Sequence, residues 1–394
     1  MKFAHMADCH IGGWSEPELE KLGIKSFEKA IDICIKKHVA FVIIAGDLFN
    51  TSLPPIDLIK ETTRILNKLK EQEISCYIIP GSHDYSPSGK TMIDVLEKAT
   101  LVENVAKYNE TDGKIKLKFT TDKTGVKLTG IFGKKQGLET EFYKSLDRTN
   151  LEQEKGTKIF LFHTLLSELK TKELEMVNSE SLAILPKNFN YYAGGHPHIV
   201  KSTNKEGYGL IAYPGPIFPN NFAELEKLKH GGFNILNDNF EIEHIPIELK
   251  EVISLKVDVN DKSPQEAQEI IIKEIRNNDI KDKILILRIF GALNSGKISD
   301  INFKDILSET KESYITLKNT NKLTTKEFEE IKVETGNVTD VEDKIITENI
   351  KEDSILNKEK IVALMDILSL EKQEGETNST FEERLIKNIE ETLK

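Results

Sequence analysis

Between residues 2 and 80, short apolar runs alternate with longer stretches whose apolar residues recur at helical spacing. KFAHMA (2–7), AFVIIAG (40–46) and SCYIIP (75–80) have the length and composition of buried strands. Between the first two, Phe27, Ile31, Cys34 and Ile35 mark one face of a helix. Pro54 and Pro55 open the next helix, where a missing N–H costs least, and its stripe reads Ile56, Ile59, Thr63, Leu66, Leu69. Strands that alternate with amphipathic helices can hide their apolar faces only in a layered α/β domain.

The strands return as VKLTGIFG (126–133), KIFLFH (158–163), YYAGGH (191–196), YGLIAYPG (208–215), FNIL (233–236) and EIEHIPI (241–247). Near residue 250 the pattern changes. ISLKVDV (253–259), a helix from Ser263 to about Asn277 and ILILRIF (284–290) form a β–α–β unit, read as a separate small α+β domain. The expected division is therefore 1–250, 251–320 and a third segment, 321–394, that is acidic and poor in strand formers. Two helices stand out in the third segment. One carries Ile361, Leu364, Met365 and Leu368, the other Phe381, Leu385, Ile389 and Leu393. A helix pair this short cannot bury its stripe alone, so it docks on this chain or on another.

Net charge is −11, which argues against a generic nucleic-acid coat protein. The charge is uneven: residues 340–394 hold 15 acidic and 8 basic side chains, so −7 of the −11 lies there. Lys114, Lys116, Lys118, Lys123, Lys127, Lys134 and Lys135 form a local basic run, for which a solvated face is the simplest reading. No apolar run reaches the roughly 20 residues that span a bilayer. The segment MKFAHMADCH carries Asp8 and His10 where a signal peptide needs apolar residues. Three scattered cysteines, Cys9, Cys34 and Cys76, suit reduced thiols, so a cytoplasmic location is expected.

The chemistry gathers at strand ends. Asp8-Cys9-His10 follows the first strand, Asp47 the second and Ser82-His83-Asp84 the third, while His163 ends KIFLFH and His196-Pro197-His198 ends YYAGG. Ligands bind outside the carboxyl edges of strands in layered α/β domains. One histidine there is more often accidental than functional, but five strand ends bearing imidazoles or carboxylates are not. Mixed imidazole and carboxylate donors without thiolate suit manganese, iron or zinc, and this many donors suit two ions sharing a carboxylate.

The order D-x-H, G-D, G-N-H-[DE], H, G-H-x-H resembles that of calcineurin-like metallophosphoesterases. Here it reads Asp8-Cys9-His10, Gly46-Asp47, Gly81-Ser82-His83-Asp84, His163 and Gly195-His196-Pro197-His198. Within that superfamily, MKFAHMADCHIGG, GDLFNTSLPP and IIPGSHD resemble the SbcD or meiotic recombination 11-type double-strand-break repair nucleases. The resemblance covers about residues 1–250. It implies two stacked, mainly β sheets flanked by helices, then a small capping domain and C-terminal helices. It implies two manganese ions per chain, magnesium or another divalent ion being the alternative. Asp8, His10, Asp47 and His198 would hold one ion, and Asp47, Ser82, His163 and His196 the second. His83 would act at the scissile phosphate or leaving group, oriented by Asp84. The family has asparagine where this chain has Ser82, a shorter and weaker donor, which bears on the second ion and not on the reaction class.

The activity so implied is manganese-dependent exo- and endonucleolytic cleavage of DNA at double-strand breaks, at the nucleoid. The implied partners are DNA, a second copy through the helices at 54–73 and 89–99, and an SbcC-type SMC-like coiled-coil ATPase on the C-terminal helices. Two rivals are a phosphoesterase for small phosphodiesters and a weakly active repair scaffold. Other signals are discounted. GALNSGKI (291–298) lacks the Ser/Thr that a phosphate-binding loop needs after its lysine and reads as a turn. SPSGKT (86–91) reads as a helix start, Cys9 points away from the ligands by strand alternation, His5 as a packing residue and Trp14 as packed.

Overall fold

The computed structural model of the chain describes residues 1–86, 91–134, 139–326, 358–368, 370 and 378–393. It divides into two compact units. One comprises Met1–Leu255, Asn278–Leu287 and Glu309–Lys318, the other Lys256–Asn277, Arg288–Ser308 and Asn319–Lys394.

The first unit begins β1 (Lys2–Met6), α1 (Pro17–Lys36), β2 (Phe41–Ala45), α2 (Ile56–Glu71), β3 (Ser75–Ile79), α3 (Met92–Lys98) and β4 (Glu103–Asn104). A hairpin of β5 (Tyr108–Thr111) and β6 (Lys114–Leu117) and the short β7 (Thr120–Thr121) lead to β8 (Lys127–Gly130). Then come α4 (Thr140–Lys144), α5 (Thr149–Gln153), β9 (Lys158–His163), β10 (Tyr191–Gly195), β11 (Val200–Asn204) and β12 (Leu210–Pro214). The helix α6 (Phe222–Leu228) precedes β13 (Gly231–Asn237) and β14 (Ile242–Ile247).

Two six-stranded sheets result, in the orders β14-β13-β1-β2-β3-β4 and β11-β12-β10-β9-β8-β7. In the first, β1 to β4 run parallel and β13 returns antiparallel to β1. In the second, β8, β9, β10 and β12 run parallel. Parallel strands buried on both faces explain why their sequences are continuous apolar runs. On β2, Phe41, Ile43 and Ala45 face the second sheet's Ile159, Leu161, Tyr191 and Ala193. Val42 and Ile44 point the other way, into a layer with Phe27 and Ile31 of α1 and Ile65 and Leu66 of α2. A third layer, including Phe160, Phe162, Tyr192 and Tyr213, covers the far face of the second sheet. This is the expected sandwich of two stacked sheets flanked by helices.

Its details depart from the expected stripe on α2. The buried residues are Leu58, Thr62, Ile65, Leu66 and Leu69, whereas Ile56 is 80% exposed. At about 100° per residue Ile56 falls about 160° round the helix from Leu58, on the side away from the sheet, and the buried face is fixed by Leu58 and Ile65. Cys9 packs on the helix side of the first sheet, as alternation predicts. Trp14 donates its indole N–H to the Pro219 carbonyl at 2.8 Å.

The second unit holds α7 (Pro264–Arg276), which Ser263 and Glu266 open with a capping box, and it buries Ala267, Ile271 and Ile275. The strands β15 (Val252–Asp258), β16 (Ile284–Leu293) and β17 (Ile315–Thr325) form a three-stranded sheet in that order, with α8 (Phe303–Ser308) between the last two in sequence. The phosphate-loop look-alike dissolves, because β16 runs on to Leu293 and Ile298–Asp300 is a short 3-10 turn. Thr91 caps α3, so SPSGKT does end at a helix start, although 87–90 lie outside the described residues.

At the C-terminus α9 (Lys358–Leu368) and α10 (Asn378–Leu393) pack against each other. Met365 and Leu368 are exposed. The rest of the segment expected as a linker, from residue 327 to 357, and Lys135 lie outside the described residues, as does the Leu393 side chain. No described helix is long and apolar enough to cross a membrane.

Candidate metal centre

The loops after β1, β2, β3, β9 and β10 converge at one edge of the sandwich, and hydrogen bonds between them fix their course. Asp8 N–H donates to Gly46 O at 3.1 Å and His10 N–H to Asp47 O at 3.0 Å. Such sharp exits from extended strands need unusual backbone. Asp8, His10, Asp47, His196 and His198 all have positive φ, at 51°, 41°, 53°, 101° and 51°. Non-glycine residues adopt this region at a cost of about 1–3 kcal/mol each, and such outliers gather at functional sites. Gly46, at φ 91°, has a second reason to be glycine: a Cβ there would lie 2.2 Å from His163 Nδ1.

In each of three groups the donor atoms lie within 4.8 Å of one another: Asp8, His10 and His198; His10, Asp47 and His83; and Asp8, Asp47 and His163. Asp8 and Asp47 are each 1% exposed and His163 likewise, so these charges are held away from solvent. Six of the nine residues singled out in the sequence thus contribute donors. Ser82 is buried beside them, its Oγ 3.4 Å from Asp47 Oδ2. His196 joins none of the three groups. Its backbone N–H donates to Asp8 at 2.9 Å, its ring lies 5.3 Å from the ring of His163, and its surface is exposed.

Asp84, expected to orient His83, has its carboxylate engaged by backbone amides. Asp84 accepts three backbone N–H groups, those of Leu48, Phe49 and Gly81, at 3.0–3.1 Å. It clamps the loops after β2 and β3 together from behind the site. Burial and the charge of Asp47 push its carboxyl upward, and the three amide donors pull it back. His83 is oriented instead by the Asn50 carbonyl, 2.8 Å from its Nδ1.

The imidazoles share one arrangement. Nδ1 of His10 meets Asn50 Oδ1 at 3.1 Å, that of His163 the Ala45 carbonyl at 2.8 Å, and that of His198 Glu224 Oε1 at 2.9 Å. These partners are acceptors, so each Nδ1 carries the hydrogen and each Nε2 presents a lone pair to the centre. Those lone pairs have unsuitable neighbours. Nε2 of His10 faces Nε2 of His198 at 2.9 Å, and Nε2 of His163 faces Asp47 Oδ2 at 3.1 Å. Acceptors meeting acceptors in a buried pocket require a cation or a proton between them. Imidazole and carboxylate donors with acceptors behind each ring fit divalent ions of intermediate hardness.

Without metal, protons take that place. Burial works to lower His163, but Asp47 and Asp8 outweigh it and raise it to about 10. Burial likewise opposes charge on His198, and Asp8 and Glu224 raise it. His10 is pushed down to about 3, chiefly by burial.

Glu224 and Asn50 are site residues the sequence reading missed. Glu224 also accepts Asn220 N–H at 2.8 Å, and Asn220 Nδ2 reaches Asn50 Oδ1 at 3.3 Å, closing a ring of support behind His10 and His198. The pattern Asn221-x-x-Glu224 announces a helix start, and nothing in it announces a histidine partner.

Comparison with known proteins agrees with this geometry. The chain is 26% identical over 345 residues to the DNA double-strand break repair protein Mre11 of Archaeoglobus fulgidus, covering 79% of this chain and 76% of that one. It is 29% identical over 327 residues to Mre11 of Methanococcus maripaludis, covering 80% of each. With Mre11 of Sulfurisphaera tokodaii identity is 31% over 219 residues, 54% of this chain and 52% of that one. The profile of the calcineurin-like phosphoesterases matches residues 1–200, which carry both sheets' parallel strands up to β10 and every donor of the centre, and the chain belongs to that family.

Proposed function

We propose that the chain is a manganese-dependent DNA nuclease acting at double-strand breaks, a phosphodiesterase that binds two divalent ions. The observation that carries this reading is the convergence of Asp8, Asp47 and the imidazole Nε2 atoms, each ring backed by an acceptor. The Mre11 relatives support DNA as the substrate. Asp8, His10, Asp47 and His198 would hold one ion. Asp47 and His163 would hold the other, with Asp8, Ser82 and His196 beside them. When bound, the ions supply Lewis acidity toward the phosphate oxygens and the attacking water.

The chain's own residues do the rest. Buried Asp8 and Asp47 hold protons on the facing imidazoles of His163 and His198 until divalent cations replace them. His83, held by Asn50, presents Nε2 as the group that passes a proton to the leaving oxygen. Asp84 keeps the turn bearing Ser82 and His83 in place through its three amide bonds. Residues 1–250 would form the nuclease domain and 251–320 a cap. The helices α9 and α10 in segment 321–394 would take an SMC-like ATPase, and α2 and α3 a second copy of the chain. The exposed Leu53, Ile56 and Val95 are compatible with the last assignment.

The test is manganese-dependent degradation of linear duplex and single-stranded DNA by the purified chain, alongside His83→Ala and Ser82→Asn. The reading expects cleavage by the parent, a loss of about 10²–10⁴-fold in His83→Ala, and faster turnover at limiting metal in Ser82→Asn. Hydrolysis of a small phosphodiester without DNA cleavage would replace DNA as the substrate. Neither activity, alone or with the ATPase, would leave only a scaffold.

A further inference from the structure

Beside the metal centre an aromatic cluster surrounds a lysine. Tyr85 and Phe132 stack nearly parallel, with centroids 6.2 Å apart and planes at 11°. Phe142 meets Phe132 edge-on at 4.8 Å, and Tyr108, 40% exposed, lies 6.4 Å from Phe132. The Lys134 ammonium sits 4.3 Å from the Phe142 centroid, 5.4 Å from that of Phe132 and 5.6 Å from that of Tyr85. Among the described residues it makes no salt bridge, in contrast to Lys127, which pairs with Glu154. A cation held by ring faces keeps its charge available to an anion in front of it.

The cluster is tied to the centre through the backbone. Tyr85 lies two residues beyond His83, and its N–H donates to Gly81 O at 3.2 Å. Gly133, between Phe132 and Lys134, donates to Pro80 O at 2.9 Å. It packs so closely on the site that a Cβ there would lie 2.6 Å from His163 Cδ2 and 3.1 Å from Ser82 N.

We propose that Tyr85, Phe132 and Lys134 form a subsite for the nucleotide flanking the scissile phosphate of single-stranded DNA. The base stacks on the rings and the adjoining phosphate meets the ammonium. Ring faces reach a base only where it is unpaired, and stacking tolerates any base sequence, which suits a strand end opened for cutting. The inference rests on the nuclease reading above, and Tyr85 acts in it by direct contact with the base.

The experiment compares kcat/KM of the full chain with Mn2+ on an intact single-stranded oligonucleotide and on the same strand with an abasic residue at either nucleotide flanking the cleaved bond. Tyr85→Leu should lower kcat/KM on the intact strand roughly 5- to 100-fold and leave the abasic strand unchanged. Tyr85→Phe should behave as the parent. Lys134→Gln should slow both strands and reduce the dependence of KM on salt. Equal losses on both strands in Tyr85→Leu would overturn the subsite, because the ring would then act only through the fold or through His83. A parent indifferent to the abasic residue would overturn it too, with the nuclease reading intact. A parent that cuts no DNA would remove both.

Discussion

Nε2 of His10 and Nε2 of His198 face each other at 2.9 Å, while each ring's Nδ1 is engaged by an acceptor, Asn50 Oδ1 and Glu224 Oε1. Two lone pairs cannot rest there without a proton or a metal ion between them. The metal-free protein is therefore expected to carry protons that a divalent ion expels. His163, raised to about 10 by Asp47 and Asp8 against burial, contributes one of them at neutral pH. Calorimetric titration with Mn2+ in buffers of different ionisation enthalpy should give heats that scale with the buffer. Heats independent of the buffer would show that the imidazoles enter the complex already neutral. The sign of the stability effect follows. A raised histidine stabilises the fold fully below about 6.5, and the metal-free protein should lose that contribution as pH rises from 6.5 toward 10.

Glu224 touches His198 and belongs to none of the three donor groups. Glu224→Gln keeps an acceptor but removes the charge that fixes the Nδ1–H tautomer and raises His198. Such outer partners are worth about 10- to 100-fold in metal affinity or activity. The variant should fold with a near-parental urea midpoint and bind Mn2+ more weakly by that factor. Unchanged Mn2+ affinity would reduce Glu224 to a capping residue of α6.

Asp84 distinguishes a structural carboxylate from a chemical one. Asparagine in its place offers one acceptor and turns an NH2 group toward backbone N–H donors. At least one buried amide is left without a partner, at a cost of about 1–3 kcal/mol, beside the loss of charge-assisted bonds. Asp84→Asn should therefore lower the denaturation midpoint of the metal-free protein. A variant of parental stability that has lost turnover would instead return Asp84 to a direct role with His83.

These residues mark how far the chain was legible before folding. The buried parallel strands announced themselves because both faces are covered, so KIFLFH and FVIIA carry no polar break. The donors at their ends were visible for the same reason, since Asp8, Asp47 and His163 each interrupt an apolar run. Asn50 and Glu224 were not, because their role is to accept a hydrogen from a ring contributed by another loop. That depends on tertiary placement, and neither residue type is rare in a turn or at a helix start. The hairpin Tyr108–Leu117 was missed because its exposed strand is polar throughout, YNET on one side and alternating KIKL on the other. The stripe on α2 was misread at Ile56, which falls on the side of the helix away from Leu58, Thr62 and Ile65 and so faces solvent.

His5 supplies a pH-dependent test away from the metal. It is buried on β1, its Nδ1 2.7 Å from the Tyr191 hydroxyl across the two sheets, and burial pushes it down to about 3. A depressed histidine contributes stability above its unfolded value of about 6.5, and that contribution is lost as pH falls toward 3. Each unit below 6.5 should remove up to about 1.4 kcal/mol, because the unfolded chain takes a proton that the fold refuses. His5→Gln keeps a hydrogen-bonding side chain and cannot titrate. Urea unfolding of both proteins at pH 7, 5.5 and 4.5 should show the parent losing stability more steeply, by about 1 kcal/mol per unit. Other histidines are common to both proteins and cancel in the comparison. Parallel slopes would mean that His5 is protonated within the fold, and that the core between the sheets admits a charge.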